Sequence, residues 1–151
     1  MAYFNWTRDL MVGHPEIDDH HKRMVLLAEA VVESLINSDE DQPGAAHVQA
    51  LIDFAQEHFG FEERLMRMTN CPDAEEHAKY HASLLTELRT YFEKVLLREN
   101  TKPVGLISFL WDWLVQHIRS ADRGLGVWLG SRDPMTLSPF QHRSEIKNSG
   151  A

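Results

Sequence analysis

Two side chains of the stretch from Ala55 to Met66 combine helical spacing with metal-binding chemistry. His58 and Glu62 lie four residues apart, one turn along a helical stripe that Leu51 and Leu65 continue as apolar positions. An ionised carboxylate is almost never buried without a partner. The two side chains therefore either hydrogen-bond to each other or bind one metal ion together. For an isolated pair of this kind, the hydrogen bond is the commoner arrangement.

Three further segments also place polar residues on core-facing positions, and together they favour metal binding over a simple hydrogen bond. Apolar periodicity predicts four helices: one beginning near Glu16, one from about 46 to 68, and two with Pro72 and Pro103 at their first positions. Together the helices direct into the core His21, His58, Glu62, His77, His81, His117 and Asp122. Five imidazoles and two carboxylates exceed what hydrogen bonds among themselves can satisfy in an apolar core. We therefore expect two metal ions, because seven protein ligands exceed one octahedral sphere once exogenous ligands are counted.

The ligand types narrow the choice of metal without fixing it. Imidazole with some carboxylate suits iron, zinc, copper or nickel, whereas magnesium and calcium prefer oxygen. Cys71 is the only cysteine, so the chain cannot form a thiolate zinc site, an iron–sulfur cluster or an internal disulfide.

Composition indicates one soluble domain. The chain has 151 residues, of which 43% are hydrophobic and 25% charged, as is ordinary for a globular protein. Its net charge of −8 argues against a general nucleic-acid or anionic-membrane binder. We expect neither a membrane span nor a signal peptide, and a cytoplasmic location.

The order of the predicted elements indicates an all-α fold. Four long amphipathic helices with short connectors and no strand pattern predict an up-down-up-down four-helix bundle. The bundle occupies residues 1–130, of which 1–15 form an N-terminal arm. Residues 131–151 lose the apolar period and form a polar C-terminal tail.

Four motifs resemble those of the hemerythrin family, most closely its single-domain bacterial form. They are Glu16-Ile-Asp-Asp-His-His21, His58-Phe-Gly-Phe-Glu62-Glu, His77-Ala-Lys-Tyr-His81 and Trp113-Leu-Val-Gln-His117-Ile-Arg-Ser-Ala-Asp122. The resemblance covers roughly Trp6 to Leu129. It implies a non-haem di-iron centre that binds O2 reversibly.

The resemblance also implies how the histidines divide between the two ions. One iron would be coordinatively full, with His77, His81 and His117 as its terminal ligands. The other iron would keep an open position for O2, with His21 and His58 as its terminal ligands.

The resemblance makes Glu62 and Asp122 the bridges between the ions, together with a solvent-derived oxo or hydroxo group. Two carboxylates and one hydroxide nearly balance two ferrous ions, so the buried site would carry little net charge. An apolar O2 pocket would keep water away from the bound gas; we assign to it Met24, Phe59, Trp113, Leu114 and Ile118.

The favoured function is O2 storage or delivery to an oxygen-using partner protein, without catalysis. The alternative is an O2 or redox sensor that acts through a separate signalling partner. Peroxide or nitric oxide turnover, or iron handling, ranks lowest, because nothing in the sequence adds a proton relay or a substrate pocket.

The remaining polar neighbours are expected to point away from the centre. His20 stands where many relatives carry Gln, and adjacent helical positions differ in direction by about 100°, so His20 should face away from the ligands. Glu63 should be a surface carboxylate for the same reason. The other histidines off the ligand pattern should be solvated: His14, His47 and His142.

His117 and Asp122 pose a geometric problem, because residues five apart in a regular helix differ by roughly 140° in direction. Either the Asp122 side chain reaches around at a helix end, or the fourth helix contains a single-turn π-bulge, which brings such residues nearly into line. We favour the bulge, because a bridging carboxylate must present both oxygens with little slack.

Overall fold

The computed structural model describes residues 3–37, 44–97 and 103–131 of the chain. A 3₁₀ turn (Arg8–Leu10) precedes the helices, and within the described ranges the chain contains no strand. The helices are α1 (Pro15–Asn37), α2 (Ala45–Met68), α3 (Ala74–Leu96), α4 (Pro103–His117) and α5 (Arg123–Gly130), and a π-helical turn (Ile118–Asp122) joins α4 to α5. No helix in these ranges is both long enough and apolar enough to cross a membrane.

The helices form the expected four-helix bundle, in which α4, the π-turn and α5 make up the fourth member. Helix α1 packs against α2 and α4, and α2 packs against α3. Helices α3 and α4 meet through stacked rings of Tyr91 and Phe109, whose centroids are 3.8 Å apart. The all-α fold class is therefore confirmed. The tail from 132 onward lies outside the described residues, so the domain boundary at 130 stays a prediction.

The π-bulge predicted in the fourth helix is present. Its turn spans Ile118–Asp122, the interval that follows His117. The extra residue per turn brings Asp122 onto the same side of the helix as His117, and the Asp122 Oδ2 atom lies 3.5 Å from the His117 Nε2 atom. Both side chains are fully buried.

One of the two proline-based helix starts was wrong. Helix α4 begins at Pro103 as predicted, but α3 begins at Ala74, two residues after Pro72. The intervening residues are needed to close α2: Asn70 adopts a positive φ of 54°, and the Cys71 N–H donates to the Met66 carbonyl over 2.9 Å. The chain is therefore not free to start a helix at Pro72.

Two apolar clusters fill the bundle, and the ligand positions separate them along every helix. The larger cluster includes Met24, Phe59, Leu84 and Leu114, among other residues. The smaller cluster consists of Ile17, Phe61, Leu65, Met66, Leu125 and Leu129. In α1, for example, His21 lies between a member of the smaller cluster and a member of the larger one. The polar residues thus form one layer with apolar packing above and below.

The N-terminal arm is fastened to α1 by two carboxylates. Buried Asp18 accepts hydrogen bonds from the backbone N–H groups of Val12 (2.7 Å) and Gly13 (3.2 Å). Glu29 accepts from the N–H groups of Tyr3 and Phe4 over 2.8–3.0 Å. Since each bond satisfies a backbone donor of a segment without regular structure, the arm is held against the bundle.

His14 ends the arm, and the expectation that it is solvated was wrong. Its side chain is buried, and its Nδ1 atom accepts a hydrogen bond of 3.3 Å from the Ile17 N–H. This is the bond that an N-cap side chain makes to the third helical residue. His14 is therefore part of the start of α1.

The arm also crosses α5 closely enough to require a glycine. A Cβ atom at Gly126 would lie 2.2 Å from the Val12 carbonyl oxygen, whereas one at Gly124 would meet nothing within 4 Å.

We expect Gly126→Ala to lower the free energy of unfolding. Displacing the backbone of the arm costs about 1–3 kcal/mol, and this cost outweighs the gain in helix propensity of about 1 kcal/mol. Urea titration measures the change. Gly124→Ala is the matched control and should raise stability; equal effects of the two variants would contradict this packing.

Candidate metal centre

The structure brings all seven sequence-predicted ligand residues to one level of the bundle. Helix α1 contributes one of them, α2 and α3 two each, and α4 with the π-turn two. All are at most 7% exposed: His21, His58, Glu62, His77, His81, His117 and Asp122. The four-residue steps in α2 and α3 explain this convergence, since such a step nearly repeats the direction of the side chain.

The ligand atoms fall into two groups that share Asp122. One group contains His21, His58, His117 and Asp122, and the other contains Glu62, His77, His81 and Asp122. Within each group the candidate ligand atoms lie within 4.8 Å of one another. By distance His117 belongs with His21 and His58, so its expected partnership with the histidines of α3 stays a prediction.

Each carboxylate directs one oxygen toward each group of histidines. Asp122 Oδ2 lies 2.7 Å from His21 Nε2, while its Oδ1 atom lies 3.0 Å from His77 Nε2. Glu62 Oε1 lies 2.8 Å from His58 Nε2, while its Oε2 atom lies 3.7 Å from His81 Nε2. Two carboxylates that each face both groups have the arrangement required of bridges between two ions.

Most of these atoms have no hydrogen bond despite being buried. Among the described residues, the unpartnered atoms that face the two groups are His58 Nε2, His81 Nε2, His117 Nε2 and both oxygens of Glu62. His21 Nδ1 is also unpartnered, but His21 faces Asp122 through its Nε2 atom. An unsatisfied buried polar atom is rare and costs roughly 1–3 kcal/mol. Atoms that converge without hydrogen-bonding geometry are satisfied together by a cation, so the residues present fit a centre of two metal ions.

Burial keeps the histidines in the form that binds metal. Desolvation lowers the pKa of His58 to about 3, of His81 to about 2 and of His117 to about 4. Neighbouring imidazoles contribute to this lowering, and the Asp122 charge partly opposes it. All three rings are therefore neutral near pH 7, with a lone pair available for coordination.

The two carboxylates respond to burial in opposite ways. Burial and the nearby Asp122 charge raise the pKa of Glu62 well above its usual range. Burial also opposes ionisation of Asp122, but His117, which is protonated at acidic pH, and hydrogen bonds from His21 and His77 hold the pKa of Asp122 well below its usual value. A cation between the carboxylates would remove their mutual repulsion, so metal binding should release the proton that Glu62 otherwise holds.

Three of the histidines have a hydrogen-bonding partner behind the ring. The Nδ1 atom of His117 donates to the Trp113 carbonyl over 3.2 Å. The Nδ1 atom of His81 lies 3.1 Å from Glu63 Oε1. The Nδ1 atom of His58 lies 3.0 Å from Nδ1 of His20. Such partners fix the tautomer and the orientation of a metal ligand.

The expectations for His20 and Glu63 were therefore wrong. Both positions flank the inward stripe of their own helix, and a direction about 100° from that stripe meets the adjacent helix rather than solvent. His20 of α1 reaches His58 of α2, and Glu63 of α2 reaches His81 of α3. The need of each ligand imidazole for a second partner was the signal that could have identified them.

The five residues assigned to the O2 pocket are all buried. Phe59 stacks on His81 with ring centroids 4.1 Å apart and planes inclined by 13°. The Trp113 indole N–H donates to the Leu84 carbonyl over 3.0 Å, which satisfies its only donor. Met24, Leu114 and Ile118 are at most 1% exposed. Phe59 and Trp113 therefore pack against candidate ligand rings. We call the five side chains together the apolar wall; that O2 lies against it stays a prediction.

His77 is the one ligand with a solvent-facing edge among the seven. It lines a surface pocket of about 370 Å³ with residues that include Cys71, Tyr80 and Ser120. The other six ligands are at most 1% exposed. The pocket therefore brings solvent closest to the centre on the side of α3 and the π-turn.

Comparisons with known proteins match the region that holds these residues. A family model described as the hemerythrin HHE cation binding domain matches residues 12–129. A bacteriohemerythrin of Pseudomonas aeruginosa (strain LESB58) is 30% identical over 132 residues, covering 82% of this chain and 80% of that protein. A myohemerythrin of Sipunculus nudus is 30% identical, with 78% and 86% covered, and a hemerythrin-like protein of Naegleria gruberi is 29% identical, with 79% and 87% covered. The matched region contains all seven candidate ligand positions.

We expect His81→Ala to lose metal and the stability that metal provides. A ligand that binds only the folded state stabilises it by about 2.7 kcal/mol at 100 times its dissociation constant. Adding a chelator should therefore lower the Tm of the wild type but leave that of the variant unchanged. Metal analysis and thermal melts measure both effects. The exposed His47→Ala is the control and should behave as wild type. Two metal ions per chain and an unchanged Tm in His81→Ala would contradict the ligand assignment.

Proposed function

Because the chain belongs to the hemerythrin family, we propose that it binds O2 reversibly at a non-haem di-iron centre and serves in oxygen storage or delivery. The observation that carries this proposal is the pair of carboxylates, Glu62 and Asp122, that each face both groups of histidines. A single ion would coordinate only half of these four carboxylate oxygens. Two ions would coordinate all four.

The donor set supports iron. Five imidazoles with two carboxylates suit a borderline divalent metal rather than magnesium or calcium. The terminal ligands would be His21, His58, His77, His81 and His117, with Glu62 and Asp122 as bridges. When bound, two ferrous ions would supply the two electrons that O2 takes up on binding and returns on release.

The protein's own contribution is to hold the ligands neutral and to exclude water. The depressed pKa values of His58, His81 and His117 keep the lone pairs of these rings free at neutral pH. Met24, Phe59, Leu114 and Ile118 present only apolar atoms beside the centre. Their wall restricts the supply of protons from bulk water, which would otherwise make oxidation irreversible.

The same wall favours a carrier over an enzyme. Its one polar group is the Trp113 N–H, which already donates to a backbone carbonyl. No residue of the wall therefore has a proton to deliver to a bound substrate. O2 itself is the proposed ligand, and an oxygen-using protein would be its recipient.

The visible spectrum tests this function. Protein loaded with ferrous iron without air should be colourless, should gain colour with O2 and should lose it again when O2 is removed. Repeated cycles without loss of amplitude are the expected result. Irreversible oxidation in the first cycle would contradict a carrier and favour a sensor or an enzyme. Absence of any coloured form would contradict O2 binding.

We further expect Ile118 and Leu114 to limit access to the centre. Both are fully buried and lie within one turn of His117. Replacing either with alanine opens space beside the ligands, so azide or O2 exchange should accelerate and the oxygenated form should be shorter-lived. Stopped-flow absorption measures both.

Leu106→Ala is the matched control for these variants. Leu106 is buried in the same helix, 11 residues before His117, which is about 16 Å along the axis. The Leu106→Ala substitution creates a similar cavity away from the candidate ligands and should leave the rates of azide and O2 exchange unchanged. Wild-type kinetics in both Ile118→Ala and Leu114→Ala would show that access follows another route.

A further inference from the structure

The His20 side chain belongs to α1, yet it packs onto α2. Its ring centroid lies 4.8 Å from that of Phe61 and 5.6 Å from that of Phe54. The ring meets that of His58 edge-on, with centroids 5.2 Å apart and planes inclined by 75°. Three aromatic neighbours thus hold the imidazole in one orientation, with its Nδ1 atom 3.0 Å from the Nδ1 atom of His58.

The contact between the two Nδ1 atoms fixes where the protons must be. Two ring nitrogens 3.0 Å apart form a hydrogen bond only if one of them carries a proton and the other a lone pair. The Nε2 atom of His58 faces Glu62 Oε1 and Asp122 Oδ2, at 2.8 and 3.8 Å, and has no hydrogen bond. It needs a bare lone pair to coordinate metal, so the proton of neutral His58 lies on Nδ1. His58 therefore donates, and the Nδ1 atom of His20 accepts.

We propose that His20 is a positioning residue of the metal centre, whose Nδ1 lone pair fixes the tautomer and the orientation of His58 and increases its basicity as a ligand. The inference rests on the proposed function only in assuming that His58 binds metal. It assigns a role to a side chain that lies outside the set of ligands.

The group that accepts the hydrogen bond from His58 differs in charge from the group that accepts from His81. A neutral imidazole accepts from His58, whereas the Glu63 carboxylate accepts from His81. A carboxylate is the stronger acceptor and makes its donor imidazole more basic. The hydrogen bond behind His58 therefore raises the basicity of its ring less than the bond to Glu63 raises that of His81, and the strength of the acceptor at position 20 should set how tightly the ion beside His58 is held.

Three substitutions at this position separate acceptor strength from packing. His20→Asn places a neutral oxygen where the Nδ1 atom was, His20→Asp places a charged one there, and His20→Leu keeps an apolar volume without any acceptor. Since Phe54 and Phe61 surround the ring, leucine should pack well. The metal-free His20→Leu protein should therefore melt close to metal-free wild type, lowered at most by the loss of the one hydrogen bond to His58.

Titration of the full-length, metal-free protein with Co²⁺ alone, followed by visible absorption, is the test. We expect His20→Leu to weaken the binding of one of two Co²⁺ ions by about 10- to 100-fold. His20→Asn should restore wild-type affinity, and His20→Asp should tighten binding beyond it. His47→Leu, which removes an exposed histidine from α2, should leave Co²⁺ binding unchanged.

The outcomes distinguish this inference from the function on which it rests. If wild type binds two Co²⁺ ions and His20→Leu binds both with equal affinity, the positioning role is overturned and the metal centre stands. Affinities that follow the melting temperature of the metal-free variants, rather than the order leucine, asparagine, aspartate, would also overturn it, because that pattern indicates packing alone. Failure of wild type to bind two Co²⁺ ions would overturn the metal centre and this inference together.

Discussion

The burial of five imidazoles and two carboxylates in one layer of the bundle is the constraint on which the rest of the structure depends. Apolar clusters lie on both sides of this layer, so water cannot satisfy its polar atoms. Without cations, several buried polar groups in this layer would stay unsatisfied. Their desolvation would lower the free energy of unfolding by a large part of the stability of a domain of this size. Metal binding would convert the same groups into ligands. Folding and metal binding would therefore be coupled through one set of atoms.

The backbone departs from regular α-helix at the π-turn in order to bring Asp122 into this polar layer. The α2 and α3 ligands use a regular four-residue step, but Asp122 follows His117 by five residues and is aligned by the π-turn. That turn widens the helix just before α5, which then passes within contact of the N-terminal arm at Gly126. The arm is tied in turn to α1 through Asp18. The arm and α5 are thus fastened beside the π-turn that presents Asp122.

Partners behind the ligands give the centre its asymmetry. His117 relies on a backbone carbonyl, His81 on the partly exposed Glu63 carboxylate, and His58 on the imidazole of His20. These acceptors differ in charge, so they should support the three candidate ligands to different extents. The exposed edge of His77 adds a further difference between the two ions. Two ions held by similar residue types can therefore take unequal roles.

The sequence by itself determined the helices, the inward ligands and the π-turn, because each follows from the angular period of a single helix. His58 and Glu62 share a direction at a four-residue step, and the five-residue step to Asp122 requires an extra residue in the turn. Only the tertiary structure decided what His20, Glu63 and His14 contact. The directions of His20 and Glu63 were predictable from the same period, but whether a direction meets solvent or another helix depends on where that helix lies. The late start of α3 has the same origin, since the residues after Met68 are used to close α2 before a new helix can begin.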